Sequence, residues 1–335
     1  MHIKSTKVTI DTNNKRYLPF DLVRAICVLY IVCIWHLNSY LSNEYKFSGE
    51  TLRFLHCVTE SILGAFTFLS GYFLKRYIFS SFRDVLSFYG KRLKRFYLLL
   101  LLSALTYLVL SWVTISQFLQ VMVGTNLLFG DAVGTLWYFS MIILFYILTP
   151  LLSFKRNEFK WWLPLSSLCV FGVFCVLVYF TEADYRMLLY FPCYIIGLST
   201  NKLFENNKVN GVLLLLVVIS YAIVYMLNLH DEIVFRIIMT QFGVWTVILL
   251  CVIICTSKCY TPITFISTAS MVAYLFHRQV FSLCRNSCES FFHINYIPLG
   301  GAIILSILFF IVSYYIQIIY NHLINKLWPV KKKSV

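Results

Sequence analysis

A histidine inside an apolar run is the first feature of this chain that asks for a chemical explanation. The stretch Phe20 to Tyr40, FDLVRAICVLYIVCIWHLNSY, carries Asp21 and Arg24 at its start and His36 near its far end. A helix of about 20 apolar residues crosses the hydrocarbon core of a bilayer, and an ionisable group inside one is costly enough to mark function by default. If the helix enters from the cytoplasmic face, a rise of about 1.5 Å per residue sets His36 roughly 24 Å across, nearer the outer interface. An imidazole there suits a general base that deprotonates a hydroxyl. The plainer role is a structural histidine bonded to a neighbouring helix or snorkelling to the headgroups.

Four further groups carry chemistry. Glu60 lies well inside a second apolar run, with His56 one turn before it. A carboxylate so placed must be protonated or paired, either orienting His36 as the partner of a base or meeting His56 at i, i+4. Arg24 and Asp21 stand at the inner end of the first run, where a snorkelling arginine is the bland alternative. The run Gly90 to Tyr97, GKRLKRFY, is the densest positive charge in the protein. Within it Arg92 and Arg95 share a helix face, with Lys91 beside them. They suit a phosphorylated ligand through forked donors, or equally an anionic lipid surface. His277 and Arg278 form an adjacent pair inside a late apolar run, as a polar cavity or helix-to-helix bonding would require.

The elements that must position these groups follow from composition. The 335 residues are 60% hydrophobic and only 13% charged, with apolar stretches of span length separated by short polar ones. A soluble domain is nearer a quarter charged, and a transmembrane barrel shows alternating segments of about 10 residues. The chain therefore reads as an all-α polytopic membrane protein. Ten spans are expected at roughly 20–41, 52–75, 96–115, 135–153, 161–181, 186–202, 210–229, 234–256, 265–284 and 297–322, with 117–129 as an interfacial or re-entrant helix. One transmembrane domain, 20–325, is expected between a polar tail, 1–19, and a basic tail, 326–335.

Charge orients this scheme. With both tails inside, 21 Lys and Arg fall on the cytoplasmic side and five, Lys46, Arg53, Arg186, Arg236 and Arg285, on the other. That asymmetry satisfies the positive-inside rule with cytoplasmic termini in an inner or plasma membrane. It also accounts for the net charge of +14 without a nucleic-acid partner. The eleven cysteines lack the ligand spacing of a zinc site, and no metal is expected. Phosphate-cradling glycine loops, HExxH and GxSxG are absent.

Taken together, the sequence resembles the acyltransferase-3 family of integral membrane acyltransferases. The likeness rests on FDLVRAICVLYIVCIWH at 20–36, FTFLSGYFLKRY at 66–77, KRLKRFY at 91–97, GTLWYFSMIILFYILTPLL at 134–152, YFPCYIIGL at 190–198 and SMVAYLFH at 270–277. The resemblance implies about ten spans, a cytoplasmic acyl-CoA donor, and an acceptor hydroxyl on a glycan or lipid-linked sugar of the cell envelope. It implies catalytic roles for Arg24 and His36, with Glu60 added on its own chemistry. Donor binding falls on Arg92 and Arg95, with Lys91. Substrate contacts fall on Trp137, Tyr146 and His277, with Arg278 beside it. Acetyl-CoA is the expected donor, exopolysaccharide or another envelope glycan the expected acceptor, and membrane lipids the surroundings.

Two departures are informative. The family usually has ten residues between the arginine and the histidine, and here there are eleven. At about 100° per residue this spacing turns the two side chains about 120° apart instead of about 20°, unless a π-bulge absorbs the extra residue. In the LW…FY segment, where some members carry a Glu, Ile142 and Ile143 stand instead. The competing class is a transporter or flippase of a glycan, for which intramembrane His, Glu and Arg are equally natural. It would be marked by inverted repeats and paired broken helices, which the sequence does not display.

Overall fold

The structure, a computed structural model, describes residues 17–77, 79–129, 132–154, 159–200, 207–227, 232–255 and 260–327, leaving aside the side chains of Lys94, Arg95 and 207–209. The expected terminal tails lie almost wholly outside these residues. The described chain is helical, with no strand beyond a single bridge between Phe79 and Phe154.

Helix α1, Leu18–Leu29, continues as a π-helical segment, Tyr30–His36, and a 3-10 turn, Leu37–Tyr40. There follow α2 Gly49–Leu74, α3 Phe82–Val109, α4 Ile115–Val123, α5 Leu136–Leu152, α6 Trp162–Phe180 and α7 Arg186–Ser199. The series ends with α8 Asn207–Met226, α9 Ile233–Ile254, α10 Tyr260–Phe292 and α11 Leu299–Leu327. Among the described residues, five stretches are long and apolar enough to cross a membrane: Leu18–Tyr40, Gly49–Leu74, Trp162–Phe180, Ile233–Ile254 and Leu299–Leu327. Phe96–Val109, Leu136–Leu152, Arg186–Ser199 and Asn210–Met226 are apolar but shorter. Each of the ten segments marked out in the sequence lies on a helix, and the re-entrant candidate is α4.

Local chemistry explains where the boundaries moved. Helix α3 begins well before the expected 96 because Ser81 and Asp84 form a capping box, each side chain bonding the other's backbone N–H. Ser111, with φ 57°, breaks its far end. A second capping box, Thr114 with Gln117, starts α4, and Gly124 at φ 82° ends it in the left-handed conformation.

Helix α2 is the centre of the bundle, packed on α7, α9 and α1. Small residues let those backbones approach. A Cβ at Gly71 would collide with the Tyr194 carbonyl of α7, and one at Gly197 of α7 with the Phe68 carbonyl of α2. On the α9 side, Gly64 faces Val244 and Thr240, and Gly243 faces Ser61. Lipid does not supply the solvent-driven force that pairs helices in water, so such close contact is what holds these three together. Helix α1 is fastened to α10 by the buried Asp21, which accepts a hydrogen bond of 2.7 Å from the Ser267 hydroxyl.

Candidate functional site

The break in α1 sets the site. Leu37 N–H reaches back to the Val32 carbonyl, five residues earlier, at the end of the π-helical segment. Such a turn holds one residue more than an α-turn, so it removes about 100° of the rotation that eleven intervening residues would otherwise impose. The expected misalignment of about 120° between Arg24 and His36 falls to about 20°. The extra residue is thus absorbed locally, and His36 returns to the face that looks into the bundle.

There His36 lines two adjoining cavities, one of about 200 Å³ and one of about 720 Å³. Their walls come from one end of the bundle: the C-terminal end of the first helix, the N-terminal halves of α2, α5, α7 and α9, and Tyr274 and Arg278 of α10. Glu60 and Trp137 belong to the smaller cavity, and Glu60 and Arg278 to the larger. Behind His36 stands His277, fully buried, with the two rings 4.7 Å apart at 46°. The His277 Nδ1 lies 2.8 Å from the Tyr274 carbonyl and 3.2 Å from that of Ala273. Carbonyls only accept, so the proton sits on Nδ1 and the buried Nε2, which has no partner among the described residues, is left with its lone pair.

Glu60 is almost wholly buried and its Oε1 is engaged by Arg236 of α9, with His56 Nδ1 at 3.8 Å. Arg236 also donates to the Tyr185 hydroxyl at 2.8 Å. Of the two partners weighed for Glu60, His56 is in range, while His36 shares the cavity with it. The second oxygen of Glu60 has no hydrogen-bond partner among the described residues. Trp137 is stacked on Tyr190 at 5.9 Å and lies beneath the Arg186 guanidinium, 4.5 Å from its ring centre.

The remaining candidates lie towards the other end of the bundle. Arg24 is held by Asp21 at 3.4 Å and lies 4.8 Å from the Phe73 ring centre. Tyr146 is hydrogen-bonded to Ser70 and lies within electrostatic reach of Arg92 and Arg24. It does not share a site with Trp137, because nine residues of α5 separate them by roughly 14 Å of rise. Arg92 stands over the Tyr77 ring at 5.1 Å. Burial would push the Tyr77 phenol up, but Arg92 and Arg76 beside it outweigh that and hold it below its ordinary value. Lys91 is exposed, and the Arg95 side chain lies outside the described residues. The polar groups thus form one constellation around His36 and another, nearer the start of the first helix, around Arg24, Arg92 and Tyr146.

Sequence reasoning passed over Arg186, Arg236, Tyr185, Tyr190 and Trp35 as site residues. A signal for the arginines was present. Of the five basic residues assigned to the outer side, Arg53, Arg186 and Arg236 line the cavities. A cation against the positive-inside trend needs a local reason. Among the described residues, no cluster of three His, Cys, Asp or Glu side chains is placed to hold a metal ion.

The family model described as an acyltransferase domain matches residues 18–318. No curated protein and no solved structure matches the chain.

Proposed function

We propose a reaction for this site from the premise that the chain belongs to the acyltransferase-3 family and is a membrane acyltransferase. In that reaction an acyl group, acetyl in the simplest case, passes from acyl-CoA to a hydroxyl of a cell-envelope or exopolysaccharide sugar. The protein sits in the plasma membrane with ten crossings and cytoplasmic termini. The donor's phosphates meet Arg92 and Arg95, with Lys91 beside them, and its pantetheine arm runs past Arg24 and Tyr146 towards His36. The acceptor enters the outer cavity, with its ring against Trp137 and a hydroxyl donating to the free oxygen of Glu60.

His36 takes the proton of the acceptor hydroxyl as its oxygen attacks the thioester carbonyl. Collapse of the tetrahedral intermediate breaks the carbon–sulfur bond, and the departing thiolate recovers the proton from His36. Ester and free thiol are the products, and no net proton is gained or lost. The observation that carries the reading is His36 itself: it is the one imidazole in the cavity wall turned inward by a dedicated break in its helix, with a second histidine packed behind it.

The test is transfer of labelled acetyl groups from acetyl-CoA in membranes containing the chain. Wild type is compared with His36→Ala and with the Arg92→Ala/Arg95→Ala double variant at equal expression. Label in a glycan or lipid-linked fraction that both variants abolish supports the reading. Transfer that persists in His36→Ala removes the assigned base. Movement of glycan across the membrane that depends on His36, without any label transferred, favours a transporter instead.

A further inference from the structure

We infer that the acceptor of the outer cavity is an anionic sugar, whose carboxylate or phosphate is gripped by Arg278 beside the hydroxyl to be acylated. The inference rests on the acyltransferase reading above and adds the chemical class of its substrate.

Among the described residues, the cavity walls carry four guanidinium groups, on Arg53, Arg186, Arg236 and Arg278, against the single carboxylate of Glu60. Three of them have carboxylates of their own. Arg53 meets Glu50 at 2.9 Å, Arg186 meets Asp184 at 3.4 Å, and Arg236 takes Glu60. Arg278 has no carboxylate within 4.0 Å among the described residues. An unpaired guanidinium in a partly desolvated wall is costly, and a ligand that supplies the missing charge recovers that cost on binding.

The surroundings are shaped for it. Gly134, at φ 42°, leaves the space beside the Arg278 Nη1, which a Cβ there would approach to 3.3 Å. The first turn of α9 lines this larger cavity through Arg236, and the first turns of α5 and α7 line the adjoining smaller one through Trp137 and Arg186, so their positive ends add to the field there. Glu60 offers its unpaired oxygen to a hydroxyl, and a guanidinium fork matches a carboxylate or phosphate edge. Arg278 lies close enough to His36 and His277 to act electrostatically on both, so the gripped anion sits beside the reacting hydroxyl.

The full chain in nanodiscs of zwitterionic phosphatidylcholine would be titrated with methyl glucoside, methyl glucuronoside and methyl glucoside 6-phosphate. Binding is followed by tryptophan fluorescence, and acetyl transfer to each sugar is measured in parallel. The expected result is binding of at least one acidic sugar about tenfold tighter than the neutral one. That preference shrinks to within about twofold in Arg278→Gln and is partly kept in Arg278→Lys, while an unfolding midpoint equal to that of wild type certifies the fold. Which acidic probe wins distinguishes carboxylate from phosphate. Equal binding of all three sugars, binding of none, or a preference that survives Arg278→Gln overturns the inference. So does a loss in Arg278→Gln confined to kcat and equal for neutral and acidic sugars, which would make Arg278 a stabiliser of the oxyanion instead. Acetyl transfer without acidic preference sinks the inference and spares the acyltransferase reading. Acidic preference without transfer does the reverse.

Discussion

Replacing Arg236 with Met should be among the most damaging single changes in the half of the bundle that holds the His36 cavities. The Glu60 and Arg236 side chains are only 6% and 17% exposed, so each depends on the other for charge compensation. Without Arg236, Glu60 keeps only His56 at 3.8 Å, and its second oxygen already lacks a partner. Removing one member of a buried pair costs about 3–5 kcal/mol, because the survivor is stranded. Glu60→Gln should cost less, about 1–3 kcal/mol, since Arg236 retains the Tyr185 hydroxyl at 2.8 Å and the glutamine amide still offers an oxygen. The double variant Glu60→Leu/Arg236→Met strands no charge, and should be at least about 2 kcal/mol more stable than the summed losses of Glu60→Leu and Arg236→Met predict. The assay is denaturant unfolding of the purified chain in detergent micelles, followed by tryptophan fluorescence and checked for reversibility. Losses that add to within about 0.5 kcal/mol would mean that the two groups are not coupled, and the anchoring of α9 to α2 through this pair would then be wrong.

The helix break supports a second prediction. Deleting Ile34, which is 39% exposed, should convert the π-helical turn to an ordinary one and leave His36 facing the cavity, so acetyl transfer falls by no more than a few-fold. Inserting an alanine after Ile34 should swing His36 by about 100° and lower transfer about 100-fold or more, as loss of a general base does. In a pH profile, a protonated His36 cannot accept the hydroxyl proton. The wild-type kcat/KM should therefore fall about tenfold per unit on its acid limb, and the residual activity of His36→Ala should lack that limb. Packing yields a contrast between glycines, read by the same unfolding assay. Gly71→Ala and Gly197→Ala should each destabilise by about 1–3 kcal/mol through collision with a facing carbonyl. Gly172→Ala, whose Cβ meets open space, should stabilise α6 by about 0.5–1 kcal/mol.

Much of this protein is written in local patterns. Apolar runs of span length settle that the chain is helical and embedded in a membrane, because backbone groups in lipid must be satisfied within their own segment. Counting the residues between Arg24 and His36, against the spacing usual in the family, announces a register problem that the π-helical turn solves. The capping boxes at Ser81 and Thr114 stand in the sequence as well, although the start of α3 shows that they are easily passed over. Partnership between helices is another matter. Glu60 finds Arg236, 176 residues away, because small residues on α2 and α9 let the two backbones close until the side chains meet. No period along the chain encodes that distance. Trp137 and Tyr146 sit in one motif, yet helix rise carries them roughly 14 Å apart along α5, to different levels of the bundle. Arg278 is one basic residue among 28 in the sequence. It becomes the arginine of the cavity wall without a carboxylate only once three-dimensional packing has assigned every nearby carboxylate to another arginine. Composition and periodicity determine the elements, because those depend on neighbours a few residues apart. The site depends on which faces of distant helices touch, and that is decided by packing.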